Sequence, residues 1–339
     1  MAFAYCQIAP ALPALTGWQP PAFKGERWPF AGGDLQTLRS VLRPPKIRLG
    51  TAEEIHIPAG DGDQLVAFLH LPAQTSQPEN KAKNALVIGL HGLTGSSESW
   101  HLRALTRHFL DSGLAVLRVN MRGAGISRPL CQSSYSARSG ADLALIIQAM
   151  QARFDGPIFV TGVSLGGTVA LNMALDEPEL ACQLAGIVTV SAPLDMQAAS
   201  AAFHRPRNWL YMRYILAGLQ RLARASPNPA RLPADPNAMR TVREFDDFLT
   251  APMHGFGDAA AYYQRASVAG QLGNLACPAL ILQADNDPWV PQDAARAARL
   301  AAGTSLIITR GGGHVGFADG QPQPWFVRCA ASWSNHLLA

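Results

Sequence analysis

Short apolar runs alternate with longer amphipathic stretches through the middle of the chain. The apolar runs lie at residues 85–90, 114–120, 157–163 and 186–193. Between them, apolar residues recur with the spacing of an α-helix at 98–112, at about 139–154 and from 165 onward. Strands that are apolar on both faces and separated by helices are typical of a parallel sheet covered on its two sides. The pattern therefore predicts an α/β protein with a mostly parallel central sheet.

A different pattern precedes this region. Two short runs, 54–58 and 64–71, flank Asp61-Gly62. Alternating runs around such a dipeptide predict a β-hairpin. The polar stretch 72–84 that follows predicts a surface loop.

Residues 195–270 interrupt the alternation of strands and helices. They contain several helical stretches and no clear strand, after which apolar strands are expected at 278–285 and 305–310 and a final helix at about 323–338. We therefore expect a helical cap inserted before the penultimate strand. The predicted organisation is an N-terminal extension packed on the core at 1–50, an α/β core at 51–194 and 271–339, and the cap at 195–270.

The composition is that of an ordinary globular protein. Of 339 residues, 48% are hydrophobic and 15% are charged, and the net charge is +4 without a block of like charge, so no nucleic-acid partner is expected. No run of 18 apolar residues occurs, so we expect no membrane-spanning helix. The apolar N-terminus lacks the basic start of a signal peptide.

The five cysteines are odd in number, widely spaced and without a C-x-x-C pair. This use of cysteine fits a reducing compartment better than a disulfide scaffold. We therefore expect free, mostly buried thiols and a cytoplasmic location.

A glycine-rich turn with a central serine connects the strand at 157–163 to the next helix. Its sequence is Gly162-Val163-Ser164-Leu165-Gly166-Gly167, which at a strand-to-helix junction is typical of a nucleophile elbow. Gly162 and Gly166 are needed because side chains there would collide with neighbouring backbone. Ser164 is therefore the candidate nucleophile. The alternative is an incidental serine in a glycine-rich turn.

A serine nucleophile needs a histidine to accept its proton and a carboxylate to orient that histidine. Of nine histidines, His314 lies in a glycine-rich loop directly after the last predicted strand. The loop 285–291 after the penultimate strand offers Asp285 and Asp287. We choose Asp287, which begins a D-x-x-V-P pattern, and expect Asp285 to brace the loop. The resulting order of serine, aspartate and histidine is that of the α/β-hydrolases.

The segment His91-Gly92-Leu93 follows the strand at 85–90, where a backbone amide can reach the carbonyl oxygen of a substrate. We expect the amides of Leu93 and Leu165 to form an oxyanion hole. His91 precedes the nucleophile in the chain, so it is expected to brace its loop rather than act as the base.

Arg122 lies in the loop 120–125 after another predicted strand. This loop lacks the Lys-Ser/Thr pair of a phosphate-binding loop. We expect Arg122 to brace the edge of the site through hydrogen bonds to backbone carbonyls.

The predicted cap supplies candidates for a substrate pocket. The aromatic candidates are Trp209, Tyr211, Phe245 and Phe248, together with Phe203. Apolar residues also recur at helical spacing over 209–219 beside several arginines, as in a lid packed on the core or in a basic helix lying on a membrane. The lid is the favoured interpretation, because such apolar stripes are usually buried.

Together these motifs resemble the YheT-type branch of the α/β-hydrolases, which includes the plant embryogenesis-associated proteins and several human α/β-hydrolase-domain proteins. The resemblance extends over nearly the whole chain. Besides the residues above, the matching segments are Pro29-Phe30, 33–38, 91–100, 120–125, 241–256, Asp258, Tyr262-Tyr263, Ser267, 286–288 and 311–317. Two positions depart from the family pattern: Asp34 stands where histidine is usual, and Arg103 where an aromatic residue is usual.

Members of this branch resemble carboxylesterases, so the resemblance implies hydrolysis of a small-molecule ester. Acyl transfer through a serine needs no metal or organic cofactor. Two alternatives use the same triad, namely transfer of the acyl group to an alcohol and cleavage of a thioester. A third is a non-catalytic ligand-binding protein on the same scaffold, against which the intact set of candidate residues argues.

Overall fold

The sheet dominates the structure, a computed structural model that describes residues 3–8, 15–43, 45–73 and 84–339. The predicted loop 72–84 lies mostly outside these ranges. The strands are β1 (Phe3–Gln7), β2 (Glu53–Pro58), β3 (Gln64–His70), β4 (Leu86–Leu90), β5 (Ala115–Asn120), β6 (Ile158–Val163), β7 (Gly186–Val190), β8 (Ala279–Ala284) and β9 (Thr304–Thr309). Their order across the sheet is β1-β9-β8-β7-β6-β4-β5-β3-β2. The strands from β9 across to β5 run parallel, and the outer strands β1, β3 and β2 pair antiparallel.

The helices predicted at 98–112, at about 139–154, from 165 onward and at about 323–338 are present, together with further helices that the sequence did not predict individually. They are α1 (Gly33–Leu42), α2 (Trp100–Asp111), α3 (Gly140–Gln151), α4 (Leu165–Asp176), α5 (Pro178–Ala181), α6 (Met196–Phe203), α7 (Trp209–Arg224), α8 (Val242–Phe245), α9 (Ala251–Met253), α10 (Ala259–Ala266), α11 (Asp293–Ala297) and α12 (Trp325–Leu337). A π-helix at Asp246–Thr250 joins α8 to α9. Short 3-10 helices lie at Gly125–Leu130, Pro206–Asn208, Pro229–Arg231, Pro236–Ala238 and Ala269–Asn274. The predicted α/β fold with a mostly parallel sheet is confirmed.

Burial follows the strand patterns. Every residue of the six parallel strands is buried, whereas β2 alternates between exposed and buried positions at its end. Alternate strand residues enter two separate hydrophobic clusters, one with α3 and α4 and the other with α2 and α12. Helices thus cover both faces of the sheet, which explains the uninterrupted apolar runs.

The N-terminal region contributes more to the fold than the sequence predicted. β1 extends the sheet by pairing with β9, and Trp18 and Phe23 join the cluster around α12. The indole N–H of Trp325 donates to the carbonyl of Pro21 at 2.6 Å. β1 has only five residues, three of them partly buried, so its pattern is too short to identify an edge strand.

The direction of chain progression reverses beside β4. After β4, the chain forms β5 as its neighbour in one direction across the sheet and then β6 as its neighbour in the other direction. Reversals of this kind leave a crevice at the carboxyl ends of the two strands, which is where ligands bind in open α/β sheets. His91 and Ser164 directly follow the two strands that border this crevice.

Residues 195–270 are helical between β7 and β8. One face of α7 packs against the segment 239–249, and the buried residues of this cluster are Met212, Ile215, Leu216, Leu219, Met239, Val242, Phe245 and Leu249. The apolar stripe of α7 is therefore mostly buried, as expected for a packed lid. Trp209 is the exception, with 56% of its surface exposed. Among the described helices, none combines the length and apolar character needed to cross a membrane.

Candidate active site

The turn between β6 and α4 places Ser164 at the carboxyl edge of the sheet. Its backbone adopts φ 52° and ψ −125°, a left-handed conformation that costs energy for a residue with a side chain. Hydrogen bonds hold the turn: the Ser164 N–H donates to Val190 O at 2.8 Å, and the Gly167 N–H donates to Ser164 O at 2.9 Å. The backbone of Ser164 is therefore fixed by β7 and by the first turn of α4.

Three glycines let this turn pack closely. A β-carbon at Gly162 would overlap the carbonyl group of Gly166. A β-carbon at Gly166 would lie 2.5 Å from the carbonyl oxygen of His91. One at Gly167 would lie 2.7 Å from Cβ of Ala192. The steric reason given for the glycines from the sequence therefore applies, and it extends to Gly167.

Ser164, His314 and Asp287 form one hydrogen-bonded chain. His314 Nε2 lies 3.0 Å from Ser164 Oγ, and Nδ1 lies 2.9 Å from Asp287 Oδ2. The second carboxyl oxygen of Asp287 accepts hydrogen bonds from the amides of Trp289 and Val290 at 2.8 and 3.0 Å. The side chains of His314 and Asp287 are only 5% and 2% exposed. A fixed, buried carboxylate at Nδ1 favours the tautomer whose Nε2 can accept a proton from the serine.

Asp285 has a different position from Asp287. Its carboxylate accepts a hydrogen bond from the Gly311 amide at 2.7 Å, and its carbonyl accepts one from the Gln292 side chain at 2.7 Å. Asp285 thus links the loop after β8 to the loop after β9, in the bracing position expected from the sequence.

The N-terminal region holds the loop that contains His314, although none of its residues was predicted to contribute to the site. Glu26 Oε1 accepts hydrogen bonds from the Gly312 amide and the Asn286 side chain at 2.7 and 2.8 Å. Thr37 Oγ1 accepts one from the His314 amide at 2.8 Å. Thr37 lies within the matching segment 33–38, so the family resemblance was the available signal, whereas Glu26 lies in no motif.

The loop after β4 is held by His91. Its Nδ1 donates to the Gly92 carbonyl at 2.8 Å, and its Nε2 accepts from the Met121 amide at 3.2 Å. Burial lowers the pKa of His91 to about 4, so the ring is neutral and can both donate and accept. His91 therefore braces the loop and has both nitrogens engaged away from Ser164.

The backbone beside Ser164 offers two amides to a ligand. Leu93 and Leu165 line the same cavity as Ser164, and Gly92 lies so close that a β-carbon on it would be 3.0 Å from Ser164 Cβ. Within the described parts of the chain, neither the Leu93 nor the Leu165 amide donates to a protein acceptor. Free amides at the start of a helix and in the facing loop are suited to an anionic oxygen.

Arg122 braces the edge of the site mainly through carboxylates, which corrects the expectation of bonds to carbonyls alone. It forms ion pairs with Asp142 and, at 2.6 Å, with Asp63. Among the described residues, the backbone carbonyl of Ala59 is the one that accepts from it, at 2.6 Å. The difference arises because Asp63 and Asp142 are distant in sequence and are brought to Arg122 only by the fold.

The two departures from the family pattern have local partners. Asp34 forms an ion pair of 2.6 Å with Arg207, and its Oδ1 accepts a hydrogen bond from the Tyr211 hydroxyl at 3.2 Å. Arg103 forms an ion pair with Glu98 and donates to the Ile47 carbonyl at 2.6 Å. Asp34 therefore connects α1 to α7, and Arg103 connects α2 to the N-terminal region.

A cavity of about 320 Å³ opens over Ser164 and His314. The sheet edge supplies one wall, which includes the Trp289 ring stacked on His314 at a centroid distance of 4.3 Å. The residues 195–270 supply the other wall, with Phe203, Tyr214 and Ile215 among its apolar side chains. This volume lies in the range of small-molecule sites.

The four aromatic residues proposed for the pocket do not line this cavity. Trp209 and Phe248 are 56% and 52% exposed. Tyr211 packs against Trp289 in an adjacent cleft, and Phe245 lines a smaller neighbouring cavity of about 40 Å³. Helical periodicity identified the buried stripe of α7 but not which neighbouring side chains face Ser164. Of the aromatic residues proposed for the pocket from the sequence, Phe203 is the one that lines the cavity.

The cavity also contains polar side chains that were not among the predicted site residues. Asp246, the first residue of the π-helix, accepts a hydrogen bond from the Tyr263 hydroxyl at 2.7 Å, and burial raises its pKa to about 6. His101 lines the same cavity, and its Nε2 is buried without a hydrogen-bond partner among the described residues. Burial lowers the pKa of His101 to about 3, so its ring is neutral at pH 7. The matching segment 241–256 was the only signal for Asp246.

The fold and this site define a member of the α/β-hydrolases. The chain belongs to the alpha/beta hydrolase family, whose model matches residues 87–328. It is 30% identical over 321 residues to the protein named "putative esterase YheT" of Escherichia coli, a match that covers 91% of this chain and 92% of that protein. This places it in the predicted branch, which also includes the embryogenesis-associated protein EMB8 of Picea glauca, 27% identical over 77% of this chain and 58% of that protein.

Other relatives and solved structures are also similar to this chain. Phospholipase ABHD3 of Mus musculus is 28% identical over 69% of this chain and 58% of its own length. Among solved structures, 2,6-dihydroxy-pseudo-oxynicotine hydrolase has a TM-score of 0.55 at 19% identity, covering 90% of this chain and 72% of that one. The esterase Pf2001 of Pyrococcus furiosus has a TM-score of 0.54 at 16% identity, covering 93% of this chain and 98% of that one. The relatives together support an ester hydrolase of the esterase or lipase type.

Proposed function

We propose that this chain hydrolyses carboxylic esters of small molecules with Ser164 as nucleophile, His314 as base and Asp287 as the orienting acid. The observation that supports this most strongly is the chain of contacts at 3.0 and 2.9 Å that joins the three side chains at the floor of the cavity. Each group has the position that its role requires, since the base must touch both the nucleophile and the carboxylate.

The reaction proceeds in two halves. His314 Nε2 takes the proton of Ser164 Oγ as the oxygen bonds to the ester carbonyl carbon, and the amides of Leu93 and Leu165 stabilise the oxyanion. The carbon–oxygen bond to the alcohol then breaks, and His314 returns the proton to the departing alcohol. Water attacks the acyl-enzyme with His314 again as base, which releases the acid and restores the Ser164 hydroxyl.

The lining of the cavity supports a short or medium acyl chain. Its wall is mainly apolar, and Phe203, Tyr214 and Ile215 stand across from Ser164. The floor belongs to the sheet edge, where His314 and Asp287 are buried and hydrogen-bonded, so we expect the helices of 195–270 to set the length of the acyl chain that fits. We also propose a cytoplasmic location, for which the number and spacing of the cysteines are the support.

The test is hydrolysis of p-nitrophenyl esters from C2 to C12 by wild type and by Ser164→Ala. We expect the substitution to lower kcat by about 10⁴-fold or more, because it removes the nucleophile. A fluorophosphonate should label Ser164, which mass spectrometry can locate. Ser200→Ala is the matched control, since Ser200 lines the same cavity without contacting His314, and its rate should stay within about tenfold.

Equal rates for wild type and Ser164→Ala, together with no label on Ser164, would contradict the proposal. A wild type that transfers the acyl group to an added alcohol faster than to water would instead assign an acyltransferase. In that case the triad stands and only the acceptor changes.

A further inference from the structure

The first half of the helical segment 195–270 has an unusual distribution of charge. Residues 196–234 contain six arginines, no lysine and no aspartate or glutamate. The net charge of the whole chain is +4. The net positive charge of this stretch is therefore larger than that of the whole chain, and the remainder of the chain has a slightly negative net charge. Such asymmetry is a physical indication of an anionic partner rather than a feature of the fold.

All six arginines are exposed. They are Arg205, Arg207, Arg213, Arg221, Arg224 and Arg231. Within the described residues, Arg207 alone among them forms an ion pair, with Asp34. The Arg213 guanidinium lies 5.7 Å from the ring centre of Trp209. The positive charge of the segment is therefore largely free to face solvent.

The outer face of α7 combines this charge with apolar groups. Trp209, Leu210 and Tyr214 are 56%, 71% and 64% exposed, and Arg213 lies among them on the same side of the helix. The opposite side of α7 is buried in the hydrophobic cluster with the segment 239–249. The inner face of α7 is thus apolar and buried, whereas its outer face is basic and aromatic.

This outer face adjoins the active-site cavity. Tyr214 lines the cavity that contains Ser164, and it also lines a cleft of about 350 Å³ between α1 and α7. A flat partner resting on α7 would therefore lie beside the opening over Ser164.

We propose that the outer face of α7 docks on an anionic lipid bilayer. Exposed tryptophan and tyrosine are suited to the interfacial region of a bilayer, where their apolar rings and polar edges are both accommodated. Exposed arginines are attracted to anionic headgroups, each contributing to affinity near the surface, and five of the six arginines here have no ion-pair partner among the described residues. The surface binds the bilayer by lying on it, with α7 parallel to the membrane plane, and the proposal does not depend on the reaction catalysed at Ser164.

The experiment is flotation of the purified full chain with vesicles of phosphatidylcholine alone or with 30% phosphatidylglycerol. We expect binding to the anionic vesicles in low salt, little binding to the neutral ones, and a strong decrease in 0.5 M NaCl, because salt screens surface charge. The triple variant Arg213→Gln, Arg221→Gln, Arg224→Gln should bind about tenfold or more weakly. Trp209→Ser should bind several-fold more weakly at unchanged charge.

Matched controls lie on other faces of the molecule. Arg107→Gln with Arg153→Gln removes exposed arginines from outside the helical segment, and Leu145→Ser removes an apolar side chain of α3 that is 38% exposed. Both controls should float like wild type. The Trp209 and triple arginine variants should hydrolyse water-soluble p-nitrophenyl acetate at the wild-type rate, which separates docking from catalysis.

Three results would overturn the proposal. These are no flotation with anionic vesicles at low salt, equal loss of flotation in the control variants, and binding to heparin as tight as to vesicles with no effect of Trp209→Ser. The last result would assign the arginines to a soluble polyanion.

Discussion

The two walls of the cavity differ in how firmly their residues are held. On the sheet edge, which comprises the loops after β4, β6, β8 and β9, Ser164 sits in a turn closed by glycines, and Asp287 and His314 are buried and hydrogen-bonded. On the helical segment 195–270, Asp246 is a half-buried carboxyl group and Tyr214 is largely exposed. The fold therefore holds the residues of the proposed triad firmly on one wall, whereas the other wall is less constrained in shape and charge. We expect substitutions on the sheet edge to abolish activity and those on the helical segment to alter stability, substrate range or docking.

The largest effect should come from the carboxylate that orients His314. Asp287→Asn keeps the shape of the side chain but disturbs the tautomer of His314, and should lower kcat on p-nitrophenyl butyrate by about 10⁴-fold. Asp285→Asn retains an acceptor for the Gly311 amide and should stay within about tenfold. Similar losses in both variants would show that the acid has been assigned to the wrong residue.

A large loss of stability is expected from Gly166→Ala. The added methyl group would lie 2.5 Å from the His91 carbonyl oxygen, and crowding against fixed backbone should lower the free energy of unfolding by about 2–4 kcal/mol. Gly270, by contrast, has no atom within 4 Å of a β-carbon placed on it, so Gly270→Ala should change stability by about 0.5 kcal/mol or less. Urea denaturation measures both. Equal effects would mean that the turn at Ser164 is less constrained than its contacts indicate.

Asp246→Asn should stabilise the protein, in contrast to changes on the sheet edge. Burial raises the pKa of Asp246 from 3.8 to about 6, so the folded protein binds its proton more tightly than the unfolded chain does. The contribution of Asp246 to the free energy of unfolding is therefore highest below about pH 4, where its carboxyl group is protonated in both states. This contribution falls as pH rises from about 4 to 6, and above that the ionised carboxylate destabilises the fold by about 1–3 kcal/mol. Asparagine removes the cost and keeps an acceptor for the Tyr263 hydroxyl.

Thermal unfolding at pH 8 and at pH 4 tests this sign. The midpoint of Asp246→Asn should exceed that of wild type at pH 8 and not at pH 4. Tyr263→Phe, which removes the hydrogen bond to Asp246, should instead lower the midpoint at pH 8. A lower midpoint for Asp246→Asn at pH 8 would mean that the ionised carboxylate is stabilised in the fold.

The smallest effect is expected at Thr37, which connects α1 to the sheet edge. Thr37→Ala removes the acceptor of the His314 amide and should lower kcat about tenfold, because an unpaired N–H lets the histidine loop shift. Thr37→Ser keeps the hydroxyl and should restore the wild-type rate. If the kcat of Thr37→Ala equals that of wild type, α1 does not position His314.

Much of the fold was predictable because its signals are local. The strand predicted at 157–163 is observed at Ile158–Val163, and the helix predicted at 139–154 is observed at Gly140–Gln151. Strands buried on both faces must be apolar throughout, so their limits are visible in the sequence. β1 and α1 were not predicted, because a short edge strand and a partly exposed helix need no strong pattern.

The candidate site was predictable for a similar reason. The glycines around Ser164 are required by close backbone contacts, and the order of Ser164, Asp287 and His314 follows from where strands of a parallel sheet end. The prediction of the aromatic lining was wrong, because periodicity over 209–219 identifies a buried face of the helix but not the residues that this face contacts. Trp209 lies outside that face, and Tyr211 faces Trp289 rather than Ser164.

The sequence by itself determined the sheet, the turn at Ser164 and the loops that hold the proposed triad, because each depends on residues next to one another in the chain. Only the tertiary structure decided the partners of these loops. Thr37 lies 277 residues before His314, and Asp34 lies 173 residues before Arg207. Contacts over such separations depend on how whole elements pack, so no local pattern of residues specifies them.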